Sequence, residues 1–125
     1  MPVPILKQGD FLIASIQAAM SDTDAEQLQA DVMERVGRFR SRGIIVDVTA
    51  VDVLDSFAAR SLRTLAHMTN LRGAQTVVVG IQPDVAFAMV QLGMSFEDVH
   101  TALDLEEGLA FLNHRVAGRS ADDRA

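Results

Sequence analysis

The sequence predicts a single α/β domain with a mixed sheet of four to five strands and about four helices. Short β-branched segments alternate with stretches whose apolar residues recur at helical spacing, the order from which α/β domains are assembled. Gly and Pro separate these segments and the connections are short, so no linker divides the 125 residues. A hydrophobic content of 49 % fills a core and lies far above that of a disordered chain. Trp and Tyr are absent, so packing relies on Val, Ile, Leu, Ala, Phe and six Met.

Pro2 and Pro4 hold the start of the chain extended. Residues 5–7 and 11–17 read as short strands around a hairpin-like turn at Gln8, Gly9 and Asp10. Thr23 and Glu26 have the spacing of a capping box, and Leu28, Val32, Val36 and Phe39 form one apolar stripe on the helix that follows. That helix ends near Arg40, with Gly43 as its break. Residues 43–49 (GIIVDVT) suit a buried strand. A loop over 50–54 leads to Asp55 and Ser56, which open a helix through about Asn70. Phe57, Ala58, Leu62, Leu65 and Ala66 mark its buried face.

Beyond Gly73, residues 74–79 form another strand. Gly80, Ile81, Gln82 and Pro83 then turn into a short helix with Pro83 near its first position, ending at Gly93. A last short strand is expected over 99–102. Asp104, followed by Glu106 and Glu107, starts a final helix to about Val116. The domain thus spans residues 1–116. Residues 117–125 (AGRSADDRA) lack an apolar pattern and are expected to be a disordered tail.

The formal net charge of −6 argues against nucleic acid, whose binding depends on clustered Lys and Arg. Lys7 is the single lysine. Arg35, Arg38, Arg40 and Arg42 form the one basic cluster and read as the solvated end of a helix, where cations complement the dipole. Without Cys there is no disulfide framework and no thiolate zinc site. The first ten residues lack the pattern of a signal peptide, and apolar runs such as 85–90 are too short to cross a bilayer. These features lead us to expect a soluble, intracellular protein with neither a nucleic-acid nor a membrane partner.

The eight Gly residues are dispersed, which excludes the Gly-rich phosphate loops. His67, His100 and His114 have no ligand spacing and read as surface or boundary residues; no metal is expected. Asp22, Asp24, Glu26, Glu106 and Glu107 lie where helices begin, where a carboxylate is stabilised by the dipole. No GxSxG elbow is present. What remains is the segment DVLDSF, residues 52–57. Its bland reading is a helix cap at Asp55 or Ser56. Its functional reading uses the same geometry, since a phosphate on a first-turn hydroxyl adds charge where the helix tolerates it. Phe57 reads either as a docking residue or as core, and Arg60, one turn on from Ser56, either as solvated or as a phosphate partner.

Four blocks of this chain resemble the STAS domain, the fold of bacterial anti-anti-sigma factors, in which a Ser after an Asp begins a helix and is phosphorylated. They are PILK at 4–7, IIVDVTAVDVLDSF at 44–57, GIQP at 80–83 and ALDLEEGL at 102–109. Within that family they are most similar to stressosome proteins of the RsbS type. The resemblance implies a non-catalytic protein without cofactors, phosphorylated on Ser56, with Asp55, Phe57, Gln82 and Pro83 as partner-binding residues. The implied partners are an RsbT-type serine kinase, an RsbR-type STAS paralogue, an RsbX-type phosphatase and further copies of the chain, in a large cytoplasmic complex. Unphosphorylated, such a protein sequesters the kinase; phosphorylated, it releases it. ATP and Mg²⁺ belong to the kinase. The absence of a sensory extension before the first strands favours the RsbS type over the RsbR type. Phe57 departs from simple anti-anti-sigma factors, many of which have Ser or Thr and then Gly after the phosphosite. The alternatives are such a simple factor, acting on an anti-sigma kinase, or a small nucleotide- or lipid-binding STAS module.

Overall fold

The structure is a computed structural model that describes residues 3–96 and 99–123, with side chains as far as Gly118. Pro2 and the last two residues of the tail lie outside the described residues. The elements follow the order β1 (Ile5–Gln8), β2 (Phe11–Ser15), α1 (Asp22–Phe39), β3 (Gly43–Asp47), α2 (Ser56–Leu71), β4 (Gln75–Val79), α3 (Pro83–Gln91), β5 (His100–Ala102) and α4 (Leu105–Asp123). They build one five-stranded sheet in the order β1-β2-β3-β4-β5. β1 pairs antiparallel with β2, with Gln8 opposite Phe11, and Gly9 at φ 58 makes the tight turn between them. β2 to β5 are parallel.

Parallel strands are buried on both faces, and their side chains divide the core in two. Leu12, Ala14, Ile44, Val46 and Val78 point to one side and pack with Leu28, Val32 and Val36 of α1 and with Leu62 and Leu65 of α2. Phe11, Ile13, Ile45, Val77 and Val79 point to the other, against Leu112 of α4. Right-handed crossovers between successive parallel strands bring α1, α2 and α3 to the same face, which leaves the other face to α4. Two glycines permit the close approach of α4. A Cβ at Gly43 would lie 2.8 Å from Leu112, and one at Gly108 would lie 2.7 Å from Val79. Between α2 and β4 the buried Thr69 hydroxyl donates to the Ala66 carbonyl at 3.0 Å and accepts from Thr76 Oγ1 at 2.6 Å. Both hydroxyls are thereby satisfied inside the core.

The structure corrects several sequence expectations. The capping box of α1 is formed by Ser21 and Asp24 rather than Thr23 and Glu26: Asp24 N–H donates to Ser21 Oγ at 3.1 Å, and Ser21 N–H to Asp24 Oδ2 at 3.2 Å. Both pairs have cap spacing, and the earlier one adds two residues to the helix. Phe39 is not core but 37 % exposed, with the Arg38 guanidinium 4.7 Å from its ring centroid. The helix is ended by Arg40 in the left-handed conformation (φ 52, ψ 43), not by Gly43, which is the first residue of β3. β2 stops at Ser15 and β3 at Asp47, short of the expected ends. α4 continues past Val116 to Asp123, because a sequence without Pro that contains Ala and Arg can extend a helix with no apolar face to bury.

The Ser21 N–H holds the Asp24 carboxyl below its ordinary value of 3.8. The unfolded chain therefore takes up the proton first, and this contribution to stability is full above that value and lost as the pH falls through the depressed one. Ser21→Ala is expected to lower stability by about 1 kcal/mol at pH 7 in urea denaturation. The difference between wild type and Asp24→Asn is expected to shrink on acidification below the ordinary carboxylate range.

Candidate functional site

Because β2 to β5 run parallel, they all end at one edge of the sheet, and the starts of the four helices gather there. Topology alone thus brings Ser56, Gln82, Pro83 and Asp104 to the same edge. The loop between β3 and α2 is fixed by two buried anchors, Val51 and Leu54, on either side of the exposed Asp52 and Val53. Asp55 follows as the N-cap of α2 with extended backbone (φ −80, ψ 177), and its Oδ1 accepts from Ala58 N–H at 2.8 Å. Its carbonyl accepts from Ala59 N–H at 2.9 Å. Ser56 is the first helical residue and is exposed. The Ser56 and Phe57 N–H groups have no partner among the described residues, as expected for the first turn.

A second junction links this loop to α3. Asp47 Oδ1 accepts from both the N–H and the hydroxyl of Thr49, at 2.9 and 2.6 Å. The Thr49 carbonyl in turn accepts from Gln82 Nε2 at 2.7 Å. Gly80 sits against this turn at φ 81, where a Cβ would collide with Thr49 Oγ1. The GIQP block therefore supplies a residue that tolerates close approach, a side chain that ties the two loops, and Pro83 at the start of α3.

Of the sequence-derived site residues, Asp55, Ser56 and Pro83 are exposed and Phe57 and Gln82 are half-buried. Phe57 belongs to neither core cluster, so it is not part of the buried face assigned to it. The Gln82 amide is committed to Thr49. The structure groups Ser56 and Arg60, both singled out in the sequence, with residues that sequence reasoning missed. Ser56, Ala59, Arg60 and Arg63 line one groove of about 250 Å³ with Gly93, Met94 and Ser95. Arg63 was legible as the i+7 companion of Ser56; Gly93 to Ser95 were not, since only tertiary folding brings the end of α3 beside α2. Apolar side chains are also exposed nearby in sequence and on α3: Val53 at 67 %, Phe87 at 66 % and Val90 at 78 %.

None of the three histidines lines the groove around Ser56. His100 stacks on Phe111 with ring centroids 4.3 Å apart, and its Nε2 lies 3.1 Å from Arg115 Nη2. Burial and then the Arg115 charge hold its pKa below the ordinary value. Among the described residues no cluster of His, Asp and Glu could hold a metal ion, and no helix is long and apolar enough to cross a membrane. Gly80→Ala is expected to destabilise the domain by about 1–3 kcal/mol, from backbone strain together with displacement of Thr49. An unchanged urea midpoint would contradict the assigned close approach.

Residues 3–108 match the family model described as the STAS domain. The RsbT co-antagonist protein RsbRA of Bacillus subtilis (strain 168) is 29 % identical over 89 residues. That covers 70 % of this chain and 32 % of that protein, so the chain spans about a third of the relative's length. The structure of a serine-to-glutamate variant of Moorella thermoacetica RsbS is similar with a TM-score of 0.78 at 29 % identity, covering 92 % of this chain and 97 % of that one. A chain from the molecular architecture of the stressosome, a signal integration and transduction hub, gives 0.73 at 28 % identity, covering 90 % and 98 %.

Proposed function

Because the chain belongs to the STAS-domain family, we propose that it is an RsbS-type stressosome scaffold that holds an RsbT-type serine kinase and releases it when Ser56 is phosphorylated. The observation that carries this reading is an exposed hydroxyl at the first position of a helix whose cap is supplied by its neighbour, Asp55. Ser56 Oγ is therefore free of any capping duty. It can form a bond to the γ-phosphorus of kinase-bound ATP, with ADP leaving and the hydroxyl proton passing to the kinase. The chain itself performs no catalysis. A Ser nucleophile needs an adjacent base, and no His lines the groove around Ser56.

The likeness to RsbRA and to the stressosome structure supports assembly with RsbR-type paralogues and with further copies of the chain, in the cytoplasm. An RsbX-type phosphatase would reset the switch. Asp55 and Pro83, both exposed, and Phe57 and Gln82 beside them form the proposed contact surface for the kinase. A phosphoryl group on Ser56 brings about −1.5 to −2 charges to that surface without demanding a change of fold.

Incubation with an RsbT-type kinase and Mg-ATP, followed by phosphosite mapping, is expected to place the phosphate on Ser56. Modification elsewhere, or none, would sink the mechanism. Ser56→Ala is expected to retain kinase binding, and Ser56→Asp to weaken it by about tenfold or more. Equal affinities would exclude a charge switch.

A further inference from the structure

We propose that Arg60 and Arg63 clamp the phosphoryl group carried by Ser56, so that the groove they share with it is a phosphoserine pocket. The inference rests on Ser56 being a phosphorylated residue and adds what receives the group. Ser56, Arg60 and Arg63 follow one another at i, i+4 and i+7, which places them on one face of α2. With Ala59 they form one wall of the groove of about 250 Å³ whose other residues are Gly93, Met94 and Ser95. That opposite wall is a fixed turn. Gly93 adopts φ 70, its N–H donates to the Val90 carbonyl at 3.2 Å, and the Met94 N–H donates to the Met89 carbonyl at 2.9 Å. Ser95 adds a hydroxyl to the lining.

The charge distribution gives the groove its meaning. No acidic residue lines it, and neither arginine forms an ion pair among the described residues, whereas Arg38 pairs with Glu34 at 3.4 Å. The rest of this edge is acidic, with Asp52, Asp55 and Asp84 all exposed. A phosphoryl dianion on Ser56 enters that acidic field and is repelled on one side. The two guanidinium groups offset this on the other, with donor forks suited to phosphate oxygens. The unmodified protein presents two cations beside the serine. Once phosphorylated, it presents an anion that covers them. Local neutralisation of Arg60 and Arg63, and not only added negative charge, is then what a partner reads.

Phosphoserine installed at position 56 during translation makes the test independent of any kinase. The second ionisation of the phosphate is followed by ³¹P NMR against pH, in the folded protein and in the same protein unfolded by urea. We expect the folded value to lie about half a unit to one unit below the unfolded value of roughly 6, since both cations favour the dianion. Arg60→Gln with Arg63→Gln is expected to remove most of that difference. The corresponding double lysine variant is expected to keep about half, a rescue that a merely structural role for the arginines would not give. Equal values in the folded and unfolded protein, or a shift that survives in the double glutamine variant, would overturn the clamp. A kinase that leaves Ser56 unmodified would instead overturn the switch and leave the titration result standing.

Discussion

Two-sided burial of the central strands governs the rest of this molecule. Ile44, Ile45 and Val46 of β3 and Val77, Val78 and Val79 of β4 are all completely buried, so each strand needs apolar cover on both faces. Polypeptide of 125 residues meets that demand economically with one helix after each parallel strand. Handedness then leaves little choice: three successive right-handed crossovers fill one face, and the helix after the last strand fills the other. All four helices must start at the same edge. The position of Ser56 on that edge is thus a consequence of core packing, before any question of function arises.

The same packing makes the edge suited to reversible modification. α2 is held along its length by Leu62 and Leu65 and, toward its end, by the buried pair of Thr69 and Thr76. In its first turn Ala58 and Ala59 are buried while Ser56 faces solvent, with the cap already supplied by Asp55. On the proposed reading, a group added to Ser56 meets a helix already anchored by Ala58, Leu62 and Leu65, and would change the surface charge without disturbing those contacts. Gln82 adds to this rigidity by tying the loop that carries Ser56 to the start of α3, with Gly80 allowing the two turns to approach.

Order and type of the elements were legible because they depend on short-range pattern. β-branched runs, helical apolar spacing and Gly or Pro punctuation occur within a few residues of one another, as in 43–47 and 56–71. Asp55, Ser56 and Pro83 were legible for the same reason, each being marked by its place at a helix start. Features decided by tertiary geometry were not. Ser21 and Thr23 both have the spacing of a cap, and the structure forms the box of Ser21 and Asp24. Phe39 completes an apolar stripe in sequence, yet at the last position of α1 it is partly exposed and has the Arg38 and Lys7 cations near its ring rather than core. Gly43 reads in sequence as a helix break and Gly108 carries no turn signal; neither reveals a packing role. Their role is to leave room for Leu112 and Val79 across the sheet, and sequence contains no trace of that distance.

The groove beside Ser56 joins both kinds of information. Its α2 wall follows from helical periodicity, since residues four and seven positions after the serine must share its face. Its other wall, Gly93 to Ser95, arrives through the crossover that places α3 beside α2. Among the described residues, Arg60 and Arg63 are left without an ion pair next to an exposed hydroxyl, although carboxylates are plentiful along the same edge. Pairing them with Asp or Glu would neutralise them permanently. On the proposed reading, leaving them unpaired makes their neutralisation conditional on a group that can be added and removed, and a conditional charge is the property that a partner-switching surface would require.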